Sequence, residues 1–162
     1  MSCKSFLSPN KFKFSINSMP AFSEYVSGIN VPGLELANDL SSPTMFHSQN
    51  VPSGKIEFDE LTCKFKVASD MSNWIELYNW LIGLGKPVSF TQYAALDEIQ
   101  EDASLHILNA FGDAALEFKF IDLNPISLSG FDMAFDIDNG SNYVSAEVTF
   151  KYSTFSIKTV VQ

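Results

Sequence analysis

The chain has 162 residues, 46% of them apolar, with 10 basic against 19 acidic side chains and a formal net charge of −9. That much apolar surface argues against a disordered chain. The acidic balance argues against direct binding to nucleic-acid phosphates and against adsorption to an anionic membrane, both of which need a basic patch.

The length suits one domain, 1–162, able to bury a core without disulfides or metal. Cys3 and Cys63 read as free thiols of a reducing compartment. The opening MSCKSFLSPNKFKFSI lacks the apolar stretch of a signal peptide. No apolar run approaches the roughly 20 residues that span a bilayer. The expectation is a protein made and used in the cytosol, or in something assembled there.

Residues 1–10 read as an N-terminal arm without periodicity. KFKFSI then alternates, with Phe12, Phe14 and Ile16 on one face of a half-buried strand. SEYVSGINVPGLEL is a second strand region, broken by Gly28 and by the turn pair Pro32-Gly33. Residues 38–54, NDLSSPTMFHSQNVPSG, read as an extended interaction loop. A loop of this length in a compact domain is functional or disordered. Its apolar tip, Met45-Phe46, suggests insertion into a neighbour.

Ile56 and Phe58, then Leu61, Cys63, Phe65 and Val67, form two alternating sets, with a bulge expected at Asp59-Glu60. A helix follows over 69–83. Ser69 or Asp70 can cap it, and Asn73 with Glu76 offers a capping box one turn later. Trp74, Leu77, Tyr78 and Leu81 fall at i, i+3, i+4 and i+7, one apolar stripe to lay on a sheet. GLGKP stops the helix.

Beyond it, PVSFTQYAALDEIQEDA is extended in part, with ALDEIQEDA a helical turn or an acidic loop. SLHILNA sets Leu105 and Ile107 opposite His106. In AALEFKFIDLNPISLSG, Leu116, Phe118 and Phe120 share a strand face, and Pro125 ends or bends the strand. FDMAFDI points Phe131, Met133, Phe135 and Ile137 inward, and Asn139-Gly140 is a hairpin turn. The last stretch places Val144, Ala146, Val148, Phe150 and Tyr152 on one face. About seven strands at this spacing predict a mainly β, sandwich or barrel-like fold with one amphipathic α-helix.

The chemistry is sparse. Neither His47 nor His106 has a metal-ligating or catalytic partner at the usual spacing. Gly83 to Gly85 follow a helix instead of opening one, so they cap it and cradle no phosphate. Asp136, Asp138 and Asn139 crowd together, but the glycine and glutamate positions of a calcium loop do not match. Asp59-Glu60, and Asp97-Glu98 with Glu101-Asp102, are carboxylate pairs of the kind used on glycosides, yet they read as solvated. Trp74 and Trp80 could stack on a ligand; for Trp74 core packing is the better reading, while Trp80 stays open. No catalytic residue, cofactor or metal site is expected, and no enzyme.

The order of these signals resembles the tail tube proteins of contractile-tailed bacteriophages and the related tube of type VI secretion. The resemblance runs from about Asn10 to Ile157. It is carried by NKFKFSI with VPGLEL, the Pro-rich loop, LTCKFKVASDMSNWIELYNWL, SLHILNA, FKFIDLNPISLSGFDM and SAEVTFKYSTFSI. It implies a structural virion protein, assembled in the host cytoplasm, whose homo-hexameric rings stack by self-assembly into a tube with a shared β-barrel wall. A contractile sheath would surround the tube, a tape-measure protein would fill it during assembly, and tube-initiator proteins would start it at the baseplate. DNA ejection would pass DNA through it without specific binding, which an acidic lumen favours. The alternatives are a baseplate or tail-completion protein that starts or ends the tube, or a carbohydrate- or protein-binding β-sandwich module. Pro43, Met45, Phe46, His47 and Val51 of the loop, with Phe6 and Leu7 of the arm, are the expected contacts between subunits or rings. Asp70 and Glu76, on the polar side of the helix, are the expected sheath-facing pair.

Overall fold

The computed structural model describes residues 7–37, 40–43, 48–51, 54–85, 100–109, 111–133 and 143–160, with the backbone alone described at 40–43 and 48–51. In chain order the elements are β1 (Phe12–Ile16), α1 (Pro20–Glu24), β2 (Val26–Asn30), β3 (Leu34–Leu36), β4 (Leu40–Pro43), β5 (Ser48–Val51), β6 (Ile56–Phe58), β7 (Leu61–Lys66), α2 (Ser72–Gly85), β8 (Glu101–Leu108), β9 (Ala114–Leu128), β10 (Ser145–Lys151) and β11 (Thr154–Thr159). The fold is mainly β, as the alternation predicts, with one long helix and one helical turn.

Seven strands form one sheet in the order β1-β8-β9-β10-β7-β2, with β11 also on β9. All its pairings are antiparallel. The 15-residue β9 joins two limbs. Its first half pairs with β8 and β11, and its second half with β10. The two halves bury opposite phases: Phe118 and Phe120 in the first, Leu123 and Pro125 in the second. The phase changes at Asp122, whose φ of 56° lies in the left-handed region that Asp tolerates better than most residues. The strand is thus irregular in two places, at Asp122 and at the register shift beside Pro125. Pro125 sits inside the strand at a register shift, where its missing N–H is least costly.

The limbs share one core. Phe14 and Ile16 of β1, Leu105 and Ile107 of β8, Leu61, Cys63 and Phe65 of β7, and Val148 and Phe150 of β10 all belong to it. Phe22 of α1 is its centre, with its ring edge-on to Phe14, Phe65 and Phe150.

Three expectations are corrected here. Asp59-Glu60 is no bulge: the chain changes sheets there, because β6 pairs with β3 while β7 pairs with β10 and β2. The acidic stretch at 101–102 is neither helical turn nor loop but the start of β8. Residues 131–133 are not in a strand, and Met133 is exposed instead of inward. Phe135, Ile137 and the Asn139-Gly140 turn lie outside the described residues.

Candidate assembly surfaces

α2 begins later than expected, at Ser72, because Met71 takes a positive φ of 56° and ends the turn before it. Asp70 Oδ1 accepts hydrogen bonds from the Ser72 N–H at 3.2 Å and the Ser72 hydroxyl at 2.9 Å. Those bonds hold its carboxyl below the usual range while the side chain stays exposed. Asn73 is no capping-box residue. Fully buried, it donates from Nδ2 to the Lys66 carbonyl at 2.8 Å, and its Oδ1 accepts from the Ala68 N–H at 3.2 Å and the Trp74 N–H at 2.9 Å. This amide ties the helix to the end of β7.

The helix packs through buried Asn73 and Leu77, with Trp74 and Trp80 half-buried against the core on either side of them. Of the predicted stripe, Leu77 is buried, Trp74 and Leu81 are half-buried, and Tyr78 is exposed. Trp74 and Tyr78 stack with centroids 5.5 Å apart, and Trp74 Nε1 donates to the Ser129 carbonyl. They open onto a groove of about 570 Å³ between α2 and β9, lined also by Leu81, Ile82, Ile126 and Leu128. Glu76 is half-buried, and its Oε2 has no hydrogen-bond partner among the described residues. It is therefore less open than the solvent-facing position assigned to it, whereas Asp70 is exposed.

The segment expected to be a loop contains pairing strands. β4 and β5 pair in register from Leu40 opposite Val51 to Pro43 opposite Ser48. Nearer the core, β3 and β6 pair with Leu34 opposite Phe58, Glu35 opposite Glu57 and Leu36 opposite Ile56. The Ala37 N–H extends this ladder to the Lys55 carbonyl. At the base Gly33 is close to Asp59: a Cβ there would sit 2.7 Å from Asp59 Oδ2. Residues i and i+2 share a face of a strand, so Leu34, Leu36, Ile56 and Phe58 line one face of a two-stranded ribbon. They remain 57, 48, 56 and 36% exposed. Glu35 and Glu57 take the other face. Of the predicted contact residues, Pro43 and Val51 lie in β4 and β5, and Leu7 is exposed. Phe6, Met45, Phe46 and His47 lie outside the described residues. Sequence reasoning missed Leu34, Leu36, Ile56 and Phe58 as candidates, although their alternation was visible.

Among the described residues, β1, β2 and β11 each pair along one edge only. The strands of the large sheet carry Lys13, Lys64, Lys66, Lys119, Lys151 and Lys158 against Glu101, Asp102, Glu117, Asp122 and Glu147. Lys119 meets Asp102 at 2.9 Å, and Lys64 meets Glu147 at 3.7 Å. The sheet is close to neutral, so the acid excess lies on the ribbon, the helix and the connections.

Among the described residues no three His, Cys, Asp or Glu side chains converge as metal ligands. Burial pushes the Cys63 thiol up, which makes it unreactive. Tyr152 is pushed up to about 12, by burial and then by the Asp59 charge, and its hydroxyl donates to the Asp59 carbonyl. No described helix is long and apolar enough to cross a membrane.

No family model matches the chain, and no curated protein sequence matches it. Solved structures do. The tube-terminating cap of the anti-feeding prophage superposes with a TM-score of 0.71 at 12% identity, over 99% of this chain and 95% of that one. The PVC sheath–tube complex of an extracellular contractile injection system in its extended state gives 0.68 at 12% identity, over 98% and 95%. Hcp1 from Flavobacterium johnsoniae gives 0.57 at 13% identity, over 96% and 97%. The chain therefore has the fold of the tube proteins of contractile injection systems, over nearly its whole length.

Proposed function

We propose that this chain is a structural subunit, not an enzyme, that assembles side by side with its own copies into the inner tube of a contractile particle. The observation that carries the reading is that β1, β2 and β11 each have an edge that no described residue pairs with, in a chain with the fold of tube proteins. An open edge is a template for pairing with another chain, and closing a ring removes it. Six copies per ring, a sheath outside and a tape-measure protein inside follow from the resemblance in the sequence. So does the finer reading, a phage tail tube that conducts DNA. In that reading the near-neutral sheet, and not a strongly acidic wall, would meet the passing polyanion if it lines the lumen. The arm and the segment between β4 and β5, with Phe6, Leu7, Met45, Phe46 and His47, reach neighbouring copies, and Asp70 meets the sheath.

A second reading, a cap or baseplate adaptor of the same particle, draws support from the fold shared with a tube-terminating cap and with a baseplate protein. Negative-stain microscopy of the purified chain tests the proposal. Rings or tubes of uniform width are expected of a tube subunit, and single rings that never stack are expected of a cap. A monomer that never assembles on concentration overturns both.

A further inference from the structure

Two exposed apolar patches stand out on opposite kinds of surface. One is the ribbon face, open at Leu34, Leu36 and Ile56 and anchored at Phe58, whose ring lies edge-on to Tyr152 and Phe155. The other is the groove between α2 and β9, with Tyr78, Ile82 and Ile126 exposed at its rim. These seven side chains are a large share of the exposed large hydrophobics among the described residues. We propose that the ribbon face of one copy seats in the α2–β9 groove of the next copy. This rests on the reading of the chain as a self-assembling subunit and names the two surfaces that meet.

Charge selects a second copy as the occupant. The chain carries −9, so most of its surface repels its own copies. The groove lining holds no Asp, Glu, Lys or Arg, and the ribbon places Glu35 and Glu57 on the face away from Leu34, Leu36, Ile56 and Phe58. These are two places where acidic copies touch without setting charge against charge. Size agrees: the ribbon presents its side chains in two short rows, and the groove has about 570 Å³ of room between a helix and a strand. The symmetry is also productive. Ribbon against ribbon would close as a two-fold dimer, whereas ribbon into groove leaves one ribbon and one groove of the pair still to fill. Such a head-to-tail contact propagates. Each patch offers far fewer side chains than the roughly 20–30 residues a side of a standard interface, so the contact adds to pairing at the sheet edges and does not replace it.

Disulfide trapping tests the pairing. In a Cys3→Ser background, Leu36→Cys and Tyr78→Cys chains, one enlarged by a tag, are mixed, concentrated and briefly oxidised; Cys63 is buried and unreactive. The mixed-size disulfide is expected about tenfold above that from Glu35→Cys with Tyr78→Cys, because the bond requires Cα atoms within about 7 Å. Ile56→Cys with Ile82→Cys repeats the test should the first pair disturb the ribbon. Particles visible by microscopy without the mixed disulfide from either pair would sink the seating while leaving the tube reading intact. Cross-linking of Leu36→Cys chains mainly to each other, or equal yields from Glu35→Cys, would sink it too. Absence of both particles and disulfide would overturn the seating and the tube reading together.

Discussion

β7 and the ribbon are written in the same alphabet. LTCKFK alternates apolar and polar, as do LEL and IEF of β3 and β6. In β7 the apolar set Leu61, Cys63 and Phe65 is buried completely, while in the ribbon the apolar set stays exposed. The backbone pairing is antiparallel in both. The difference is the second layer. β7 lies between β10 and β2 with the Phe22 ring against Phe65, whereas the ribbon's apolar face is met at Phe58, whose ring lies edge-on to Tyr152 and Phe155, and stays open at Leu34, Leu36 and Ile56. Alternation reports that a face is apolar; it does not report that its own chain covers it.

The comparison is broken most directly at its filled side. Phe22→Ala removes the ring that Phe14, Phe65 and Phe150 pack around. A fully buried Phe→Ala costs about 3–5 kcal/mol, much of the ~5–15 kcal/mol that holds a domain folded. Urea unfolding of the variant should show a midpoint lowered in proportion to that loss. A loss below 1 kcal/mol would mean that α1 is not the second layer.

Asn73→Ala probes how that layer is fastened. It leaves the Lys66 carbonyl and the Ala68 N–H without their amide partner beneath a helix. A buried polar group left unpaired costs about 1–3 kcal/mol. Equilibrium unfolding should show this loss, and near-UV dichroism should show a changed environment for Trp74 and Trp80. Asn73→Asp should not restore stability, since a carboxylate cannot donate to Lys66.

Much of the fold could be read from residues because strands that bury one face declare it. β1, β7, β8, β10 and the first half of β9 bury the residues their alternation predicts. The misreadings have physical causes. A phase slip at Asp59-Glu60 looks the same whether a strand bulges or leaves its sheet, since partner strands are not written locally. α2 is apolar on most sides, with Trp74, Ile75, Leu77, Tyr78, Trp80, Leu81 and Ile82, so periodicity offered more than one stripe. The choice was made by a polar residue, Asn73, whose bonds reach back to β7. β4 and β5 are polar and contain a proline, yet their pairing uses backbone groups that any sequence carries. The candidate surface was the least legible part. Exposure is a property of what fails to pack, and only the assembled fold reveals that.

At the start of α2 a smaller effect carries a pH signature. The Ser72 N–H and then the Ser72 hydroxyl hold the Asp70 carboxyl below its ordinary value of 3.8. A depressed folded pKa means that the carboxylate stabilises the fold above the unfolded value and that this contribution disappears as pH falls through the folded value. Asp70→Ala should therefore lower Tm slightly at neutral pH, with the gap to the parent closing below 3.8. A gap that persists unchanged in acid would assign the effect to helix propensity and not to the charge.

The smallest expected effect on stability is also the sharpest test of the comparison. Leu36→Ser removes an apolar side chain of the same kind as Leu61, from a strand with the same alternation. Because Leu36 is about half exposed and pairs with an equally exposed Ile56, the isolated chain should change by no more than about 0.5 kcal/mol. Its effect should instead appear in assembly, as particles that form only at higher protein concentration in sedimentation or microscopy. A stability loss above about 2 kcal/mol would mean that the chain covers this face itself, and the contrast with β7 would dissolve. Unchanged stability with weakened assembly would place the missing second layer on another copy, so that the ribbon completes its packing only between chains.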